Sequence, residues 1–139
     1  MNSSIFIFHT DEMVLLESCN LPPASPILDR IPYVSRMHAR FSGIPVDIVM
    51  TDVVHSDDIL AHCSAEYGKT ARWERIRSLF AQDINIPSSV SVFSARAYGL
   101  IHWHMNTKFC SRCGVLLTEH PSETARQCES CGIDFYPRL

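Results

Sequence analysis

The sequence has 139 residues, 46% of them hydrophobic and 19% charged, with a formal net charge of −3. That length holds one medium domain, or a small domain plus a metal-stapled module, and the acidic balance disfavours a generic nucleic-acid binder, which carries a basic excess. The apolar run near the N-terminus spans only Ile5 to Phe8 with no basic residue before it, too short for a signal peptide or a membrane span. The expectation is a cytoplasmic protein with no membrane association.

Residues 4–9 form a short β-like run. Thr10-Asp11-Glu12 signals a turn and residues 13–16 a second strand, so the chain opens with a hairpin. Pro22, Pro23, Pro26 and Pro32 predict a loop with little regular structure. Residues 33–41 alternate apolar with polar groups, Ser42-Gly43 turns the chain, and residues 44–51 form a strand rich in Ile and Val. Pro45 places the start of that strand at a sheet edge or at its first residue.

Ser56-Asp57-Asp58 starts a helix with Ile59, Leu60 and Cys63 on its apolar face. Trp73, Ile76, Leu79 and Phe80 follow helical spacing in a second short segment. Ser88 and Ser89, after Asn85-Ile86-Pro87, are placed to cap a longer helix. Val90, Phe93, Ala97, Leu100, Ile101 and His104 recur along it at steps of three and four. His102 and His104, two apart, point to different helix faces and make no chelating pair. His104 is expected to complement the helix dipole or to cap a carbonyl. His9, His38, His55, His62 and His120 have no companion at metal or triad spacing, so none is expected to be catalytic.

Cys110-Ser111-Arg112-Cys113-Gly114 and Cys128-Glu129-Ser130-Cys131-Gly132 are two C-x-x-C-G knuckles. Two residues between cysteines let one tight turn present both sulfurs to one ion. The glycine then tolerates the left-handed backbone that closes the turn. Residues 106–136 therefore read as a zinc ribbon holding one structural Zn²⁺ per chain through Cys110, Cys113, Cys128 and Cys131. Four thiolates leave no open coordination position for catalysis. A thioredoxin-type redox pair lacks its βαβ context here, and a disulfide framework lacks a sign of an oxidising compartment. Cys19 and Cys63 read as buried free thiols. Lys108, Arg112 and Arg126 are expected to offset the negative charge of the centre.

Residues 94–104 followed by Phe109-Cys110-Ser111-Arg112-Cys113-Gly114, with Phe135-Tyr136-Pro137-Arg138 after the second knuckle, resemble the NADH pyrophosphatase (NudC-type) branch of the Nudix hydrolases. The likeness is strong over 94–138 and weak before it, although Gly43-Ile44-Pro45-Val46 resembles part of the family's N-terminal domain. It implies an α+β fold: an N-terminal domain with antiparallel strands and helices over 1–88, a connecting helix over 89–105, and the ribbon with the start of a Nudix domain over 106–139. It implies a homodimer, and NAD(H) or NAD-capped RNA as the partner, split to nicotinamide mononucleotide and AMP in the family reaction. By the same resemblance Glu123, Tyr136 and Arg77 contact substrate.

The R-E-x-x-E-E core of the Nudix box, which would present carboxylates to Mg²⁺ or Mn²⁺, does not occur here, and Glu66, Glu74 and Asp83 are scattered. The sequence stops at the junction to that domain, so the expectation is no diphosphatase activity for this chain alone and a scaffolding role, with an exposed apolar surface where the domain would pack. The alternative is a stand-alone ribbon that binds nucleic acid or protein, with Phe109, Phe135 and Tyr136 to stack bases. A redox switch that releases zinc on oxidation is a third reading.

Overall fold

A run of alternating Ile and Phe with no polar position cannot leave either face in water, so it needs cover on both sides. In the computed structural model of the protein, that run is β1 (Ile5–His9) at the centre of a five-stranded sheet. The structure describes residues 3–81 and 86–137; Asp83, Asn85 and Arg138 lie outside them. β2 (Glu12–Leu16) closes the expected hairpin, with Phe8 opposite Met13. β3 (Ser35–Phe41) and β4 (Ile44–Met50) form the second hairpin, through Ser42 and Gly43, both at positive φ.

β4 lies parallel to β1, Ile5 facing Asp47 and Phe8 facing Met50, so the expected antiparallel pairing holds for every other pair but not for this one. Pro45 is the second residue of β4, and pairing with β1 starts beyond it, where the Asp47 N–H bonds the Ser4 carbonyl. The missing N–H therefore costs no ladder bond.

The helical reading of Trp73 is corrected. Residues Ala71–Arg75 form β5, which adds antiparallel to β2 and gives the order β3-β4-β1-β2-β5. The open edge of β2 offers five consecutive partners, and that long-range pairing outweighs a local spacing that fits a helix. Only Ile76–Phe80 is helical, as a 3-10 turn with Leu79 buried. The proline-rich loop also holds a turn of 3-10 helix, Pro26–Asp29, whose first N–H groups include Ile27 bonded to the Ser25 side chain. It buries Ile27 and Leu28.

The strand alternation sends side chains to two separate cores. Ile5, Ile7, Val14, Leu16 and Val49 meet Ile27, Leu28, Ile59 and Cys63, the last two from α1 (Ser56–Tyr67). Phe6, Phe8, Met13, Leu15 and Ile48 meet Ala97, Leu100 and Ile101 of α2 (Ser88–Asn106). Helices thus cover both faces of the sheet. α2 is more than a connector, because it closes the second core. Ser88 and Ser89 do not cap it through their side chains: the Pro87 carbonyl accepts from the Val90 and Ser91 N–H groups, and the Ser91 hydroxyl donates to Leu79 O.

Beyond α2, β6 (Thr118–Glu119), β7 (Arg126–Gln127) and β8 (Asp134–Phe135) make a small antiparallel sheet, ordered as written. The fold is α+β, as the sequence implies. Among the described residues no helix is long and apolar enough to cross a membrane.

Candidate metal centre and adjoining cleft

The two knuckles fold alike. The Gly114 N–H bonds Cys110 O at 2.9 Å and the Gly132 N–H bonds Cys128 O at 2.8 Å. Then the Cys110 N–H bonds Val115 O at 2.8 Å and the Cys128 N–H bonds Ile133 O at 2.9 Å. Both glycines sit at positive φ, +79° and +71°, which is why glycine follows each second cysteine. Backbone N–H groups also reach sulfur: Arg112 to Cys110 Sγ at 3.4 Å and Cys131 to Cys128 Sγ at 3.3 Å.

The four sulfurs of Cys110, Cys113, Cys128 and Cys131 lie within 4.8 Å of one another, and Cys113 Sγ is 3.4 Å from Cys128 Sγ. All six cysteines of the chain are free thiols. In a tetrahedral site with metal–sulfur bonds of about 2.3 Å, sulfurs stand about 3.8 Å apart, so the set fits a structural metal ion such as zinc. The thiols also differ before any metal enters. Hydrogen bonding from the Cys113 backbone holds the Cys110 thiol down to about 6, whereas the Cys113 side chain pushes Cys131 up to about 12. A divalent cation removes that conflict by stabilising every thiolate at once. Of the other two cysteines, Cys63 is buried and its thiol is raised to about 11 by desolvation, while Cys19 is half-buried beside Arg72 Nη2 at 3.4 Å.

Two side chains join this unit to the main sheet, in roles the sequence reading did not assign. Arg126 directs its hydrogen bonds to backbone carbonyls. Its Nη1 donates to His104 O at 2.9 Å and Thr107 O at 3.0 Å, satisfying carbonyls that end α2. The His104 ring, by contrast, caps no carbonyl. It is buried, with Nδ1 3.1 Å from Ser35 Oγ on β3 and Nε2 2.6 Å from Glu119 Oε1 on β6. Burial pushes the His104 imidazole below its ordinary value, against the raising hydrogen bond from Glu119. With the carboxylate accepting from Nε2–H, Nδ1 is left to accept from the serine hydroxyl.

A cleft of about 1050 Å³ lies between β3 and the 119–126 hairpin, with Tyr33, Trp103, His104 and Glu123 in its walls. Of the residues implicated by resemblance, two meet: the Tyr136 hydroxyl donates to Glu123 Oε2 at 2.6 Å, and that carboxylate holds the phenol above its usual range. The Tyr136 ring is exposed. Arg77 is exposed on the 3-10 turn after β5 and lines no part of the cleft. His120 organises the hairpin, its Nδ1 accepting from the Ser122 and Glu123 N–H groups. Phe109 and Leu116, bridged across the first knuckle, are both exposed.

The Ser35–His104–Glu119 network has no sequence signal, because its members are 69 and 15 residues apart. No known protein family matches the chain, and no curated protein is significantly similar to it.

Two outcomes are expected. Stripping metal with a strong chelator collapses amide signals of residues 107–137 in an NMR spectrum while those of β1–β5 persist. The second concerns pH. His104 is depressed in the fold, so the unfolded chain binds the proton more readily. Its stabilising effect is present above pH about 6.5, the ordinary histidine value, and is lost as pH falls through the lower folded value. Denaturant midpoints of the wild type fall over that window, and those of His104→Gln fall less.

Proposed function

We propose that these residues form the N-terminal and zinc-binding portion of an NADH pyrophosphatase-like Nudix hydrolase, acting as a structural, dimerisation or substrate-wall module. In this reading Cys110, Cys113, Cys128 and Cys131 hold one structural zinc. Zinc supplies fixed geometry, and four thiolates leave it no position for water or substrate. The observation that carries the reading is the Tyr136–Glu123 hydrogen bond. The two positions implied to face a dinucleotide, thirteen residues apart, meet on one surface of the metal unit. Glu123 orients the phenol, and the exposed ring offers a face on which a base or nicotinamide stacks.

The reading assigns phosphoanhydride cleavage, with its Mg²⁺ or Mn²⁺, to a Nudix domain additional to these residues, since a pyrophosphatase needs clustered carboxylates to hold those ions. A second reading, a ribbon that docks protein or nucleic acid by itself, draws on the exposed pair Phe109 and Leu116.

NADH titrated into the zinc-loaded chain separates the two. The first reading predicts binding that weakens at least about fivefold in Tyr136→Ala, a loss of about 1 kcal/mol for a stacked base, with no hydrolysis in Mg²⁺ or Mn²⁺. Binding indifferent to Tyr136 and Glu123, together with salt-dependent capture of RNA, contradicts it in favour of the second.

A further inference from the structure

We propose that the cleft between β3 and the 119–126 hairpin is an acyl-transfer site, with Ser35 as nucleophile, His104 as general base and Glu119 as the residue that positions it. The inference is independent of the zinc and dinucleotide reading. Three separate elements deliver the set: Ser35 from β3, His104 from the last turn of α2 and Glu119 from β6. Nucleophile to base is 3.1 Å and base to carboxylate 2.6 Å, each at hydrogen-bond reach. All three line the same cleft, whose volume of about 1050 Å³ suits a small organic ester.

The chemistry of each group is set by its neighbours. Glu119 fixes the tautomer with the proton on Nε2, so the lone pair on Nδ1 faces the Ser35 hydroxyl. The groups against the ring are Ser35 from β3, Glu119 from β6 and Arg126 from β7, whose Nη2 lies 3.5 Å from the same Glu119 oxygen. Burial keeps the imidazole neutral near pH 7, the state a base requires. Among the described residues β3 is an edge strand, so the main-chain N–H groups along its outer side have no ladder partner there. Tyr33 and Trp103 supply apolar wall for the acyl or alcohol group.

The step balances without a further reagent. Ser35 Oγ attacks the ester carbonyl carbon as its proton passes to His104 Nδ1. The C–O bond to the alcohol breaks, the leaving oxygen takes that proton, and the acyl group remains on Ser35. Water, giving a proton to Nδ1, attacks the acyl carbon. The carboxylic acid leaves and the proton returns to Ser35 Oγ.

The test incubates the metal-loaded full chain with an alkyl fluorophosphonate and maps the adduct by peptide mass, alongside hydrolysis of p-nitrophenyl butyrate. The expected result is one adduct, on Ser35, absent in Ser35→Ala. His104→Gln slows labelling at least about a hundredfold, the scale of a lost general base. Glu119→Gln slows it less and moves the midpoint of the rate–pH profile to lower pH, while Glu119→Asp keeps part of the rate. An inert wild-type chain with an intact fold by circular dichroism makes the network a structural bridge only and overturns the proposal. So does an adduct that maps to another residue. The wild-type labelling site decides the matter even where His104→Gln fails to fold.

Discussion

The C-terminal unit depends on the convergence of four sulfurs, because nothing else in it is large enough to hold it folded. Its strands are two residues each, and its buried cluster consists of Leu117 and two of the cysteines, with Cys131 and Phe135 packed beside them. So small an apolar cluster stabilises far less than ordering some thirty residues costs. A metal bound by four thiolates supplies folding free energy directly. The repeated knuckle geometry brings two sulfurs to it from each end of the hairpin.

From that centre the constraint spreads outward through polar contacts. β7 carries Arg126, whose guanidinium closes the end of α2, and β6 carries Glu119, which fixes His104. α2 in turn completes the core over Phe6, Phe8 and Ile48. The four-cysteine unit and the sheet are joined by charged and hydrogen-bonded groups, which need exact partners where an apolar contact would tolerate sliding. The cleft at their junction is a consequence: the hairpin stands beside the free edge of β3 without covering it.

Much of this was legible in the sequence where local chemistry decides structure. The Ser42-Gly43 turn, the Ile59/Cys63 face of α1 and the cysteine knuckles are each written in consecutive residues. What the sequence did not reveal depended on distant partners. Trp73 has helical spacing yet sits in β5, because the open edge of β2 competes for it. Arg126 beside the cysteines reads as a counter-charge, and only the folded path of α2 shows the carbonyls it caps. His104 lacks any companion at short spacing, since Ser35 and Glu119 reach it from other elements.

The four-sulfur centre is tested most directly through its metal. X-ray absorption at the zinc edge on purified chain, with metal quantified in the same sample, should show one zinc per chain and four sulfur neighbours at about 2.3 Å. Absence of metal from folded protein, or a coordination shell of nitrogen and oxygen, would contradict it.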